Sequence, residues 1–415
     1  MRILLACGHA TFKHGHKGNI ANAEKPFFLA KNLVKLGHDV TVVYQNPSAK
    51  PNMFTEGAEN LEIVYLPDLT PPVGYGPRRP LYVRLLRRSI ETVANTALES
   101  ILGIKGNFDV VHSFWPSYFE NYLPLMLSKF THSSRTVIDL EDRMGGREGL
   151  VNLFGDPGMN QLRYTIYTFL ENTSVKFADA AITSTSSMNN LLRGLGLPAN
   201  RIFKIPRGVD TNLYQPFSKD QARRKIGLAT NTSVVGYMGG SLKAPAYHEI
   251  LLDAFSRLVS VQPNIRLLLI GRRIPNEARQ MILKLRLERS AIVTGALELD
   301  ELPVYLSAAD VLVLPLLNNF VDASRWPNRL LEYMACSRPV VVSEVGAAQE
   351  IVTETGCGLI AKVGDPEDLA QKIGYLTEHP REGDKRGTLA REAVEDKFTW
   401  SSVAKSTENV YRQIS

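Results

Sequence analysis

Apolar positions recur along this chain in two alternating patterns. The opening run MRILLAC is continuously apolar from Ile3 to Cys7, and the stretch EKPFFLAKNLVKLG places Phe28, Leu29, Leu33 and Leu36 at helical spacing. Gly37 closes that helix and a Val-rich run, HDVTVVY, begins. Strand, glycine-containing loop, helix and strand in this order predict a βαβ unit. Further buried strands are predicted at FDVVHSFWP after Asn107, RTVIDLED from Arg135, DAAITSTS from Asp179 and RIFKIPRGVD from Arg201.

The second half repeats the alternation. SVVGYMGG, IRLLLIGRR, AIVTGAL, DVLVLPLL and RPVVVSE read as strands, with EILLDAFSRLVSV and NRLLEYMAC as helices between them. Strands alternating with helices argue parallel sheets covered on both faces. Pro206, Gly208 and Pro216 punctuate the stretch from Asn200 to Gln215, the expected linker. The expected fold class is α/β, with two Rossmann-like doubly wound domains, residues 1–205 and 206–397, facing a central cleft. Ligands of such sheets bind beyond the carboxyl ends of the strands.

Length supports the division, because 415 residues exceed what one hydrophobic core usually organises. With 44% hydrophobic and 22% charged residues the composition is that of an ordinary globular protein. The first residues lack a signal-peptide core, and no run of 18 apolar residues marks a membrane span. Cys7, Cys336 and Cys357 are an odd set without metal-type spacing and read as small core residues of a protein in a reducing cytoplasm. The net charge of +6 permits an anionic partner without naming one, and no nucleic-acid partner is expected. The charge is concentrated in RRPLYVRLLRR, Arg78 to Arg88. As a helix this segment would set Arg84, Arg87 and Arg88 on one face and Leu81 and Leu85 on another, which suits an anionic lipid surface. A solvated helix edge is the alternative.

From Ile205 to Ile373, the ordered segments IPRGVDTNLYQP, SVVGYMGG, IGRR, VLVLPLL, PNRLLEYMACSRPVVVSEVGAAQEIV and TGCGLI closely resemble the carboxyl-terminal half of family 4 glycosyltransferases. The opening strand and glycine loop, LVKLGHDVTVV and FDVVHSFWP resemble the amino-terminal half. These are two-domain GT-B enzymes that retain the anomeric configuration of a nucleotide-diphosphate sugar. The resemblance implies an acceptor-side domain at 1–205, a donor-binding domain at 206–397, and a terminal helix, 398–415, that returns to the first domain, with Trp400 and Tyr411 as packing anchors. It implies no metal requirement and no cofactor beyond the co-substrate.

The family's pattern implies roles for particular residues. Glu332 would grip the donor's ribose hydroxyls, one carboxylate accepting two hydrogen bonds, and Pro327 would open a helix whose amino end suits the diphosphate. A second family glutamate is replaced here by Ser324; Asp322 either substitutes for it against the sugar or caps a helix. The arginine that usually follows the first strand's glycine is missing, since Gly240 and Ser241 follow Gly239. Lys243 and Arg329 are the favoured cations for the diphosphate, with Arg272, Arg273 and Arg325 as alternatives. Gly239, Gly240, Gly15 and Gly18 would admit close approach to phosphate, and backbone from Thr294 to Leu297 would meet the base. In the loop GHATFKHGHKGNIAN, His16 and Lys17, and beyond it His112, are candidates on the acceptor side, with a satisfied core or rim histidine as the bland reading of His112. Asp142, in IDLEDRMGGRE, is expected near sugar or acceptor, or as a loop-ordering residue. Glu141 stands where many members have histidine, so that histidine's role does not transfer.

Absence of GxGxxG in the first loop argues against a dinucleotide oxidoreductase. The departures at Ser324, Gly240 and Glu141 keep open a catalytically silent scaffold that binds nucleotide sugar or a partner protein. A lipid or lipid-linked glycan is one acceptor class open to the protein if Arg78 to Arg88 meets the inner face of the cell membrane.

Overall fold

The computed structural model describes residues 1–11, 21–45, 54–66, 92–102, 106–131, 134–146, 149, 157–239, 246–271 and 274–415. The chain forms two compact units, Met1–Arg207 together with Trp400–Ser415, and Gly208–Thr399.

In the first unit the strands β1 (Arg2–Thr11), β2 (Asp39–Gln45), β3 (Phe54–Ala58), β4 (Leu61–Leu66), β5 (Val110–Phe114), β6 (Arg135–Asp139), β7 (Ala180–Thr183) and β8 (Ile202–Lys204) form one sheet. Its order is β3-β4-β2-β1-β5-β6-β7-β8. The expectation of a wholly parallel sheet needs one correction: β3 pairs antiparallel to β4 at the edge, through a turn in which Asn60 takes a positive φ of 62°. Asparagine tolerates this left-handed conformation better than most residues, which lets a hairpin close where an apolar pattern gave no signal. Gly37, with φ of 87°, ends the helix Ala21–Lys35 and turns the chain into β2. The last helix, Trp400–Ile414, packs into this unit's core: Trp400 stacks on Phe28 at 5.3 Å, and Tyr411 is completely buried.

A buried ionic network closes the carboxyl end of this sheet. Lys25 Nζ pairs with Asp139 Oδ2 at 2.7 Å and donates to Glu141 Oε1 at 2.9 Å, and Arg207 donates to Glu141 Oε2 at 3.1 Å. All four side chains are nearly inaccessible. Burial opposes the Lys25 charge, but the two carboxylates reverse that and hold its ammonium above the usual lysine range. Burial alone would raise the Asp139 carboxyl; Lys25 and His112 instead hold it below the usual range. Two cations and two carboxylates make the network neutral, the condition under which buried charge is tolerated.

His112 shares a 2.6 Å hydrogen bond between Nδ1 and Tyr411 Oη, with Nε2 3.5 Å from Asp139 Oδ2. Burial depresses its pKa, and Asp139 offsets only part of that. The folded state therefore holds His112 neutral at a pH where the unfolded chain, with an ordinary value near 6.5, takes up a proton. Stability should fall as pH drops below that value, by up to about 1.4 kcal/mol per pH unit for this one proton. Urea midpoints measured from pH 7 to pH 5 should show a shallower slope for His112→Gln than for wild type. An unchanged slope would mean that His112 is not the neutral group described.

In the second unit β9 (Ser233–Met238), β10 (Ile265–Ile270), β11 (Ala291–Val293), β12 (Val311–Leu314), β13 (Val340–Ser343) and β14 (Gly358–Ala361) are all parallel, in the order β11-β10-β9-β12-β13-β14. Strand β14 lies in the TGCGLI segment, where two glycines hide a short strand. Core residues cover both faces: Val234 and Leu312 face one cluster, Val235 and Tyr237 the other. From β9 the chain runs outward through β10 and β11, then returns to β12 on the other side of β9. That reversal leaves a crevice beyond the carboxyl ends of β9 and β12, where doubly wound sheets bind ligands.

Candidate active site

Glycines bring the strand ends together at this crevice. Gly239 N donates to Ile270 O at 2.9 Å, and Gly271 forms an antiparallel bridge with Gly295, whose φ is 76°. A Cβ on Gly271 would collide with the Gly239 carbonyl oxygen, and one on Gly239 would lie 2.6 Å from the Tyr237 ring. Backbone approach this close requires glycine at both positions. Leu297, half-buried, packs on the adjoining core, and Thr294 Oγ1 accepts from Gly271 N at 3.3 Å.

The helix Asn328–Ala335 is fixed to the end of β9 by both polar groups of one residue. Met238 N donates to Tyr333 Oη at 2.8 Å, and Arg329 Nη1 donates to Met238 O at 2.7 Å. The Arg329 guanidinium also lies over the Tyr237 ring, 5.8 Å from its centroid. Leu330, Leu331, Tyr333, Met334 and Ala335 are buried, whereas Asn328, Arg329 and Glu332 are only half-buried. Three and four residues apart, those three share one stripe of the helix. An otherwise enclosed helix thus presents an amide, a guanidinium and a carboxylate at the crevice. Pro327 stands at the N-cap, its carbonyl accepting from Leu330 N at 2.9 Å.

Ahead of this helix, Phe320–Ser324 forms a short turn of helix whose cap is Asn319: its side chain accepts from Asp322 N at 2.9 Å. The capping alternative for Asp322 is thereby corrected. Its carboxylate instead accepts from Tyr247 Oη at 2.9 and 2.8 Å and from Leu317 N at 2.8 Å, which ties the turn to the helix Ala246–Val261. Ser324 is buried, with Oγ donating to Val321 O at 3.3 Å.

In the first unit Asp142 is half-buried on the loop that follows β6. Glu171 orders that loop, accepting from Met144 N at 2.7 Å, Gly145 N at 3.1 Å and Ser117 Oγ at 2.7 Å; burial nevertheless pushes its carboxyl above the usual range. Glu141 is committed to Lys25 and Arg207. His112 has no accessible surface, so in this structure it meets Tyr411 and Asp139 and not solvent. Among the described residues no group of three His, Cys, Asp or Glu is placed to hold a metal ion. Gly15, His16, Lys17, Gly18, the segment Arg78 to Arg88, Gly240, Lys243, Arg272 and Arg273 lie outside the described residues. Arg207 and Lys397, close to the two chain crossings between the units, pair with Glu141 and Glu354 within their own units.

Sequence reasoning missed Tyr237, Tyr247, His248, Tyr333 and Lys25. Each sits in an apolar or helical pattern that reads as core or surface, and only the fold brings it to a strand end.

Two α/β units, one sheet wholly parallel and the other parallel except for its edge strand β3, are the architecture of GT-B proteins. Comparison with known proteins agrees: residues 232–379 match the Glycosyl transferases group 1 family and residues 29–208 match the Glycosyl transferase 4-like domain. The chain belongs to this family of glycosyltransferases. Alpha-maltose-1-phosphate synthase from Mycolicibacterium smegmatis is 26% identical over 270 residues, 61% of this chain and 67% of that protein. In three further relatives the shared part is 53% to 57% of their length. Among solved structures, sucrose-phosphate synthase from Thermosynechococcus elongatus superposes with a TM-score of 0.72 at 22% identity, covering 100% of this chain and 98% of that one. The Anabaena protein HepE, in complex with UDP and glucose, gives a TM-score of 0.64 at 18% identity, with both chains fully covered.

Proposed function

We propose that this protein is a retaining glycosyltransferase that moves a sugar from a nucleotide-diphosphate donor to a hydroxyl acceptor, without a metal ion. The polar stripe Asn328, Arg329 and Glu332 at the β9 and β12 ends carries the reading. Glu332 accepts the ribose hydroxyls and Arg329 faces the diphosphate, as far apart as successive turns of one helix allow.

In the proposed reaction the bond between sugar C1 and the β-phosphate oxygen breaks, and its electron pair stays on that oxygen. The acceptor hydroxyl oxygen bonds to C1 on the same face, through an oxocarbenium-like state, and its proton passes to the departing phosphate. Positioning and charge stabilisation are then the protein's contribution, and no side-chain nucleophile is required. Asp142 is assigned to the sugar or acceptor in the first unit.

A lipid or lipid-linked acceptor at the inner face of the cell membrane is the preferred acceptor class. The basic segment Arg78 to Arg88 supports it, as do Phe130, Leu162 and Phe169, exposed on the helices Phe119–Thr131 and Pro157–Ser174 of the first unit. Three free, buried cysteines suit a reducing compartment.

Proton NMR of the product formed from an α-configured donor tests the reaction. The expected product is an α-glycoside, formed at the same rate with and without EDTA. A β-glycoside would contradict retention, and loss of turnover in EDTA would contradict metal independence.

A further inference from the structure

Two buried polar atoms beside the stripe complete no well-formed hydrogen bond with a described residue. Tyr237 and His248 are each 2% exposed, and their rings meet edge to face at 5.6 Å. His248 Nδ1 makes no hydrogen bond to any described residue, and Tyr237 Oη, whose phenol has the Arg329 guanidinium beside it, completes none of good geometry. An unsatisfied buried donor or acceptor lowers stability, so a pair of them side by side calls for an explanation.

Their placement supplies one. Tyr237 is the penultimate residue of β9, on the sheet face that packs against the helix Ala246–Val261, and His248 lies in that helix's first turn. The Arg329 guanidinium covers the Tyr237 ring from the adjoining helix, and Gly239 passes so close that any side chain there would strike the phenol. A hydroxyl, an imidazole, a guanidinium and the positive end of a helix therefore converge on one spot at the sheet's carboxyl end. Such a set favours an anion rich in acceptor oxygens. Asp322, the nearest carboxylate of the adjoining turn, is engaged by Tyr247 and Leu317 N. Burial, and then Arg329, depress the His248 pKa, so the imidazole is a neutral hydrogen-bond donor near pH 7.

We propose that Tyr237 and His248 are leaving-group residues, which donate from Oη and Nδ1 to the terminal phosphate of a nucleoside diphosphate and take over the role of the arginine that Gly240 replaces. This rests on the donor-site reading above and adds residues to it. The phosphate becomes more negative as its bond to the sugar breaks, so both donors bind it more strongly at that point.

The test uses Tyr237→Phe, which removes one oxygen and keeps the ring, and His248→Leu as a second variant. Calorimetric titration compares whichever of UDP, GDP or ADP binds wild type with its own monophosphate. The expected result is about tenfold weaker diphosphate binding in each variant, with monophosphate binding changed less than twofold. The ligand-free Tyr237→Phe protein should melt close to wild type, because the hydroxyl it loses makes no well-formed hydrogen bond and only adjoins Arg329. Equal diphosphate affinity in wild type and both variants overturns the inference and leaves the donor site standing. Weakening seen only with the intact nucleotide sugar also overturns it, since the donors would then meet the sugar. Failure of wild type to bind any diphosphate at millimolar concentration would sink the donor-site reading itself.

Discussion

Replacing Lys25 by methionine should destabilise the amino-terminal unit by about 3–5 kcal/mol, as expected when one partner of a buried ion network is removed. The substitution leaves Asp139 with only the neutral His112 nearby and takes one of the two cations from Glu141, so one net negative charge is stranded in the interior. For a unit of this size the loss corresponds to a fall on the order of 10 °C in its melting transition. Differential scanning calorimetry reads it, with the transition of the second unit unmoved. The double variant Lys25→Met, Asp139→Asn should recover much of the loss, because Glu141 and Arg207 then remain as a neutral pair. If the single variant melts with wild type, the network is not holding the sheet end together.

Glu332→Ala should lower kcat/KM by about 100-fold or more, from the loss of two hydrogen bonds to a charged acceptor worth on the order of 3 kcal/mol together. Ribose hydroxyls are held equally in the ground state and the transition state, so the change should appear in KM with kcat nearly constant. Glu332→Gln keeps one acceptor oxygen and should fall between the two. A variant whose kcat drops while KM stays would place Glu332 at the reacting sugar instead.

Much of the fold is visible in the sequence because parallel strands buried on both faces are written as continuous apolar runs. SVVGYM, IRLLLI and VLVL are such runs, and they became β9, β10 and β12. The β3–β4 hairpin escaped because FTEGA is mostly exposed and carries no apolar run, and its turn depends on the conformation of Asn60. The site divides along the same line. Glu332 and Arg329 stand out because polar residues interrupt an apolar helix. Tyr237 and His248 do not, since each looks like a core aromatic within a hydrophobic stretch. Lys25 reads as an ordinary surface lysine near a helix start, and its burial is decided by Glu141, 116 residues further on. Pairings of that range arise from the sheet order and leave no local trace.

The most direct test of the donor site is the thermal shift produced by UDP, GDP and ADP on wild type and on Glu332→Ala. A nucleotide at about 100 times its dissociation constant adds roughly 2.7 kcal/mol to stability, a readily measured shift. At least one of the three should raise the melting temperature of wild type and lose most of that effect with Glu332→Ala. Stabilisation of both proteins to the same extent, or of neither at millimolar nucleotide, would contradict it.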